Sequence, residues 1–251
     1  MTHWPDGDSE RARRLVKALN EDLERHWGVP AGVLSQASIA HIASDSNRAT
    51  WTCDGGVVAC VDADLVANIA ATITRHSGHD YAELLSELQT TLGSPTRAAA
   101  SYLDVSLYCV SPTVVKTGSH ERVEMLSPAA EGLPPIPPRA EHVFVIREET
   151  MVVSHACNVP NMSVGDIRLH AVGAGTHPDH RRRGLGRAVV SALVEHIISE
   201  GDMALWNCDG LNIPSVRLAR AVGFVEFLWH FKWGVSEEEM QYRRGAISRT
   251  G

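Results

Sequence analysis

Residues 176–187 have the sequence Thr176-His177-Pro178-Asp179-His180-Arg181-Arg182-Arg183-Gly184-Leu185-Gly186-Arg187, and they say most about the architecture of this chain. An extended pattern over residues 166–176 precedes the turn, and an apolar helical pattern over residues 185–200 follows it. A loop that leads into a helix start gathers unpaired backbone N–H groups, and the helix dipole adds a partial positive charge there. Four arginines crowd the same turn. We therefore expect this turn to hold a pyrophosphate.

The two glycines of the turn distinguish between phosphate-binding motifs. A P-loop is excluded because no Gly-Lys-Ser/Thr follows, and the dinucleotide motif Gly-x-Gly-x-x-Gly is incomplete, since only Gly184 and Gly186 are in place. The order Arg-x-x-Gly-x-Gly, which begins at Arg181, resembles the coenzyme A motif of the GNAT superfamily of acyl-CoA N-acyltransferases.

The segments on both sides of the motif strengthen this resemblance. A short apolar strand over residues 203–208 is followed by Asn212 and by a helix that ends at Gly223-Phe224, as in the superfamily. Upstream, residues 143–146 and 151–154 resemble its central hairpin. The motifs are also similar to those of a bacterial GNAT subgroup that carries an additional N-terminal domain.

The resemblance covers residues 123–235 and implies a fold class. We expect an α/β (α+β) protein with the GNAT fold, in which helices flank a mixed central sheet, plus a smaller N-terminal α/β domain. The expected domains are residues 1–112, an accessory unit of unrecognised type, residues 113–245, the acetyl-CoA-binding catalytic unit, and residues 246–251, a tail.

Hydrophobic periodicity predicts the individual elements. Leucines spaced by four indicate an amphipathic helix over residues 10–26, and caps and apolar faces predict further helices over residues 64–76, 81–92, 185–200 and 212–222. Apolar runs predict strands over residues 57–61, 105–110, 121–126, 142–146, 151–157, 166–176 and 203–208, and a final hairpin of residues 224–227 and 229–234.

A proline-rich segment departs from the usual GNAT pattern. Residues 132–138 are Gly-Leu-Pro-Pro-Ile-Pro-Pro, which cannot form a helix interior. In the superfamily two helices lie between the first and second strands and cover the acceptor site. Here only residues 127–132 have room for a short helix, so the acceptor cannot be inferred from relatives.

Composition excludes several classes of protein. The chain has 251 residues, 44% hydrophobic and 21% charged, and a net charge of −7, which argues against a nucleic-acid partner. No apolar run approaches the ~20 residues of a membrane span, and the polar N-terminus is no signal peptide. Five scattered cysteines without a Cys-x-x-Cys pair fit reduced thiols in a cytoplasmic protein. A homodimer is left open.

The resemblance assigns residues to the binding of acetyl-CoA as cosubstrate. The backbone from Arg182 to Arg187 would hold the pyrophosphate, and the strand end before the turn would pair with the pantetheine arm and polarise the thioester carbonyl. Gly173 and Gly175 suit a bulge that opens a slot beside this strand, or they relieve crowding in the sheet. Asn212 contacts the pantetheine or caps its helix. The full set is Ala174, Gly175, Thr176, Arg181, Arg182, Arg183, Gly184, Leu185, Gly186, Arg187, Asn212 and Ser215.

The catalytic groups are harder to identify. Many relatives protonate the leaving thiolate with a tyrosine where this chain has Ala219, and Ser215 lies one turn earlier on the same helix face. His170 and His155 are candidate bases because histidine has a suitable pKa, although a strand histidine is more often structural. Weaker candidates are Ser154, Asp166, Asp209 and Glu226. We expect no metal, because His177 and His180 lack a carboxylate that completes a site.

Two classes of function remain. The first is an N-acetyltransferase that acts on a primary amine of a small polar molecule, such as an amino acid, a polyamine, an aminosugar or an amine-bearing antibiotic. The second is a non-catalytic acyl-CoA-binding sensor or scaffold. A protein or peptide N-acetyltransferase is a further alternative. The absent tyrosine favours the sensor, whereas positioning of the reactants alone supplies much of the rate in an enzyme.

Overall fold

The computed structural model describes residues 9–36, 39–42, 48–53, 56–60, 63, 65–76, 80–92, 101–109, 122–165 and 167–241. The helices are α1 (Ser9–Trp27), α2 (Val66–Arg75), α3 (Tyr81–Thr91), α4 (Leu185–Ser199) and α5 (Ile213–Val222). The strands are β1 (Ile39–His41), β2 (Arg48–Thr52), β3 (Val57–Cys60), β4 (Ser101–Cys109), β5 (Glu124–Leu126), β6 (His142–Glu148), β7 (Met151–Val164), β8 (Ile167–Thr176), β9 (Met203–Asp209) and β10 (Val225–Trp233).

All ten strands join one mixed sheet with the order β1-β3-β2-β10-β4-β9-β8-β7-β6-β5. Only β1 with β3 and β8 with β9 are parallel pairs. The expected class, a mixed sheet with flanking helices, is therefore confirmed.

Strand β4 lies inside this sheet and links the two halves of the chain. Six residues of β4 pair with β9, from Asp104 with Asp209 to Cys109 with Ala204. On its other edge β4 pairs with β10. The division at residue 112 stays a prediction, but strands from both sides of it alternate in one sheet. A strand of the expected accessory unit thus supports the strand that borders the proposed slot.

Helices cover both faces of the sheet. Val189 and Leu193 of α4 pack with Ala204 and Trp206 of β9 in the main core, which also receives α2, α3 and α5. Helix α1 packs on the opposite face, where Leu19 contacts a cluster that includes Leu169 and Leu205. None of the described helices combines the length and the apolar character that crossing a membrane requires.

The parallel pair of β8 and β9 is short. The two strands are paired only at Leu169 with Met203, His170 with Ala204, and Ala171 with Leu205. Beyond Ala171, five residues of β8 continue to Thr176 without a partner on that side among the described strands. At 3.3 Å per residue the slot between the strands is about 16 Å long. We call the paired part the closed end and the part near Thr176 the open end.

Several sequence predictions about elements need correction. The prediction of a final hairpin is wrong, because residues 225–233 form one strand with an irregularity between Glu226 and Leu228. Residues 127–132 form turns and no helix, and β1 and β2 were not predicted. The N-cap of α3 is Asp80, whose carboxylate accepts from the backbone N–H groups of Ala82 and Glu83. The expected tail, residues 246–251, lies outside the described residues.

The proline-rich segment packs on the sheet without forming a helix. Leu133, Ile136 and Ala140 are partly buried against Val143 and Cys157 of β6 and β7. This is the face opposite the one that α4 covers, because Phe144 of β6 packs in the α4 core.

Candidate functional site

The turn before α4 has an unusual backbone. A single 3₁₀ turn spans Pro178–His180. Arg182 follows with φ of 61° and Gly184 with φ of 78°, both in the left-handed region. Glycine adopts that conformation without the strain that a Cβ brings, whereas a non-glycine residue there costs free energy and often marks a functional turn. The turn thus exposes the backbone of residues 182–186 at the open end.

The start of α4 presents backbone N–H donors without a side-chain cap among the described residues. Gly184 is the N-cap, and no side chain of the described residues caps the helix. The first helical hydrogen bond runs from the N–H of Ala188 to the carbonyl of Gly184, so the N–H groups of Leu185 and Gly186 lie in the turn of the helix before it. A Cβ placed on Gly184 would meet nothing within 4 Å, which shows open space at this point. These features are suited to an anion.

The arginines of the turn have different partners. Arg181 donates to the carbonyl of Thr176 at 3.2 Å. Arg183 donates to the carboxylate of Glu148 at 2.8 Å and to Nδ1 of His180 at 2.8 Å. Arg182 is exposed. Arg183 therefore anchors the turn to the end of β6, and Arg182 is the better placed of these guanidinium groups to meet a ligand.

Glu148 holds the turn from the neighbouring hairpin, a role that no sequence pattern signalled. Burial alone would raise its pKa, but the hydrogen bond and charge of Arg183, with His180 and Arg122, outweigh burial and hold the pKa below its ordinary value. The carboxylate is thus ionised at neutral pH. Arg183, which the sequence analysis assigned to the ligand, is therefore paired with a carboxylate of the protein.

The end of β8 packs closely on the start of α4. A Cβ on Gly186 would lie 3.2 Å from Oγ1 of Thr176 and 3.7 Å from Leu218. The Thr176 hydroxyl also contacts Oγ of buried Ser154 at 2.9 Å. Ala174, Gly175, Thr176, Leu185 and Gly186, all predicted to bind the donor, are therefore brought to one place, where each is partly exposed.

Gly175 leaves space for a histidine ring and is not part of a β-bulge. The β7–β8 ladder is regular at both glycines, since Cys157 pairs with Gly173 and His155 with Gly175, and its one irregularity lies between Pro160 and Met162. The predicted bulge at the glycines is therefore wrong. A Cβ on Gly175 would come within 2.6 Å of Cε1 of His155. Glycine at this position makes room for the imidazole.

His155 is the candidate base that the structure places beside the slot. Its side chain lies on the same face of the sheet as Gly175, which forms the unpaired part of β8. Burial lowers the pKa of His155 below the ordinary value for histidine, because an apolar environment disfavours the imidazolium. The ring is therefore neutral at neutral pH and able to accept a proton.

Ser215 and Asn212 lie at the start of α5. The Asn212 side chain accepts from the backbone N–H of Ser215 at 3.3 Å, which favours the capping alternative for Asn212. Oγ of Ser215 accepts from Nε1 of buried Trp206 at 3.0 Å. Trp206 follows the last residue of β9 that pairs with β8, so this hydrogen bond borders the slot. The sequence placed Trp206 in the predicted strand 203–208 but did not predict its contact with Ser215.

Ala219 faces the core. It is fully buried among the apolar residues of the α4 face. The tyrosine that relatives carry here would not fit this packing without displacement of its neighbours.

His170 belongs to a buried network at the closed end. Its side chain has 0% exposure, Nδ1 accepts from Nδ2 of Asn158 at 2.9 Å, and Nε2 donates to Asp202 at 2.9 Å. The Arg168 guanidinium reaches the same carboxylate at 2.8 Å. Burial alone would raise the pKa of Asp202, but its hydrogen bonds to His170 and Arg168 outweigh it and lower the pKa. The structure favours the structural alternative for His170.

The weaker candidates have other partners. Ser154 contacts Thr176, Asp209 accepts from the backbone N–H of Leu211 at 2.8 Å, and Glu226 forms an ion pair with Arg220. Asp166 lies outside the described residues.

Comparison with known proteins agrees with this geometry. A family model described as GNAT acetyltransferase matches residues 144–227, a segment that runs from the central hairpin to β10 and includes the turn. No curated protein matches the chain by sequence.

Several solved structures are similar to parts of this chain. An acetyltransferase of the GNAT family from Novosphingobium aromaticivorans is 17% identical with a TM-score of 0.43, over 53% of this chain and 64% of that one. An acetyltransferase from the GNAT family of Colwellia psychrerythraea is 13% identical with a TM-score of 0.42, over 59% and 62%. A GCN5-related N-acetyltransferase from Kribbella flavida is 16% identical with a TM-score of 0.38, over 64% and 66%. The chain thus spans less than two thirds of the length of each.

Proposed function

We propose that this chain is an N-acetyltransferase that transfers acetyl from acetyl-CoA to a primary amine of a small polar molecule, because residues 144–227 match the GNAT acetyltransferase family model. One observation carries the proposal: β8 and β9 part beyond Ala171, and the uncapped start of α4 lies where β8 ends. The parting leaves a strand edge for an extended ligand, and the helix start leaves donors for an anion.

The residues of the open end fit coenzyme A. The backbone N–H groups of Leu185 and Gly186, with the exposed guanidinium of Arg182, would meet the pyrophosphate. The unpaired edge of β8 up to Thr176 would hydrogen-bond the pantetheine arm. Bound acetyl-CoA would supply the acetyl group as an activated thioester. Asn212 is better explained as a cap, and Arg183 as an anchor of the turn.

The transfer requires two proton movements. An N–C amide bond forms as the C–S thioester bond breaks, so one proton leaves the amine nitrogen and one proton reaches the sulfur. We propose that His155 accepts the proton from the amine, because its neutral ring lies against Gly175 on the strand that borders the slot.

We propose that Ser215 contacts the sulfur of the leaving coenzyme A. Its Oγ accepts from Nε1 of Trp206 and also hydrogen-bonds the Cys208 thiol, so the hydroxyl would have to turn from that thiol to meet the sulfur of the donor. A serine is a weak acid, and we therefore expect it to hydrogen-bond the sulfur while water supplies the proton.

A small cationic amine fits this chain better than a protein tail. The net charge of −7 attracts cations, and the proline-rich segment covers the sheet beside Cys157, on the face that also carries His155. Cys53, Cys157 and Cys208 are free thiols, which supports a cytoplasmic location.

A panel of acceptors tests the proposal. Purified protein is mixed with acetyl-CoA and with amino acids, polyamines, aminosugars, aminoglycosides or N-terminal peptides, and free thiol is measured. We expect turnover on a small amine. Turnover confined to peptides would show that the acceptor is a protein or peptide and not a small amine.

A non-catalytic acyl-CoA sensor is the second candidate, and Ala219 favours it because relatives place their proton donor there. Coenzyme A binding by calorimetry without thiol release on any amine would establish the sensor and contradict the enzyme.

A further inference from the structure

Three side chains converge on one point near the closed end, and nothing in the proposed acetyl transfer uses them. They are His142, the first residue of β6, His196 in the last turn of α4, and Glu200, which ends that helix. One ligand atom from each lies within 4.8 Å of the other two. His196 lies eleven positions after Leu185 along the helix, a rise of roughly 17 Å. The cluster is thus remote from the open end.

The three side chains face one another but form no hydrogen bonds with one another. Nε2 of His142 lies 3.8 Å from the Glu200 carboxylate, and Nε2 of His196 lies 3.7 Å from it. Both distances exceed the range of an N–H···O hydrogen bond. Nε2 of His196 is also inaccessible to solvent and has no hydrogen-bond partner among the described residues. A buried nitrogen of this kind calls for a partner.

The surroundings hold the two imidazoles in place. The rings of His142 and His196 meet edge to face with centroids 4.4 Å apart, and Phe144 packs on His196 at 5.7 Å. The backbone N–H of His142 donates to Oδ1 of Asn158 at 2.9 Å. Each of the three side chains remains about a quarter to a third exposed, so an ion has a route from solvent.

We propose that His142, His196 and Glu200 bind a divalent transition metal ion, with Zn²⁺ as the best fit. Two imidazole nitrogens and one carboxylate oxygen form a common ligand set for zinc, and water completes four-coordination. Tetrahedral bonds of about 2.0–2.1 Å require the ligand atoms to approach one another slightly, which these partly exposed side chains allow. The C-terminus of α4 adds a partial negative charge that favours a cation.

The bound ion ties the end of α4 to the beginning of β6. The spacing of four between His196 and Glu200 puts both on one face of the helix, and His142 adds a ligand from the sheet. This site differs from the expectation of no metal, which considered only His177 and His180. Nδ1 of His180 is already hydrogen-bonded to Arg183.

Metal titration of the purified full chain tests the site. After removal of metal with a chelator, Zn²⁺ is added and followed by calorimetry, and Co²⁺ is added and followed by its visible absorption. We expect one ion per chain with a dissociation constant in the micromolar range or tighter, strong absorption bands typical of four-coordinate Co²⁺, and a Tm raised by about 5–10 °C at a hundredfold excess over the dissociation constant.

Variants locate the ion. His142→Gln and His196→Gln should each weaken Zn²⁺ binding at least tenfold, and Glu200→Gln should also weaken it. His177→Gln removes a histidine from the other pair and should bind as the parent does. The proposal is overturned if the parent chain binds no ion below about 100 μM, or if the histidine variants bind like His177→Gln. Should a variant fail to fold, the stoichiometry and Co²⁺ spectrum of the parent still decide the question.

Discussion

Polar groups near the two ends of β8 differ in their hydrogen bonding. At the closed end, buried His170 has partners on both ring nitrogens, and Asp202 accepts from both His170 and Arg168. At the open end, α4 begins without a side-chain cap among the described residues. A hydrogen-bonded network thus lies at one end of β8, and the uncapped start of α4 lies at the other. Substitutions at the closed end should therefore change stability, and those at the open end should change binding or turnover.

The largest effect is expected at the open end, on catalysis. His155→Ala removes the proposed base and should lower kcat by about 10²–10⁴-fold. Coenzyme A affinity, measured by calorimetry, should be unchanged, because the imidazole is not assigned to the donor. More than a tenth of the parent activity in His155→Ala would exclude His155 as the base.

The pH profile of the parent chain sharpens this prediction. The pKa of His155 lies below its ordinary value because burial disfavours the charged ring. The neutral base is present above that pKa and is lost as pH falls through it, so kcat/KM should decline on the acid side, below about pH 6.5. The residual activity of His155→Ala should lack this acid limb.

At the closed end the expected effect is on stability. Asp202→Ala leaves buried His170 and the backbone N–H of Arg168 without their acceptor, which should lower the free energy of unfolding by about 3 kcal/mol. Urea denaturation measures the change. Coenzyme A affinity of the folded variant should equal that of the parent, and a large loss of affinity would mean that the two ends are not independent.

A pair of glycines offers a matched test along the same strand. Gly175→Ala places a Cβ 2.6 Å from the His155 ring and should cost about 1–3 kcal/mol. Gly173→Ala meets only the Cys157 sulfur at 3.8 Å and should cost less than about 1 kcal/mol. Equal costs in denaturation experiments would show that the ring does not depend on Gly175.

Much of this fold was predictable from local patterns, because helices and paired strands leave periodic signals. The turn, α4 and the capping of α5 by Asn212 follow from residues that are adjacent in sequence. The position of β4 between β9 and β10 does not, since strand pairing over a hundred residues has no local signal. The same holds for the contact of His155 with Gly175 and for the anchoring of Arg183 by Glu148.

The smallest predicted effect concerns the sulfur side. Ser215→Ala should lower kcat less than about tenfold, because water can supply the proton, and the loss of the Trp206 hydrogen bond should cost roughly 1 kcal/mol of stability. Abolished turnover with intact coenzyme A affinity would show that Ser215 is itself the acid.

The central claim is that the uncapped start of α4 binds the pyrophosphate of coenzyme A, and one calorimetric comparison tests it most directly. Gly184 and Gly132 both have positive φ, 78° and 74°, and open space around them, so valine strains both alike. Only Gly184→Val puts its side chain over the donors of α4. The account predicts at least a tenfold loss of coenzyme A affinity in Gly184→Val, about 1.4 kcal/mol, and none in Gly132→Val. Equal affinity in both folded variants would contradict it.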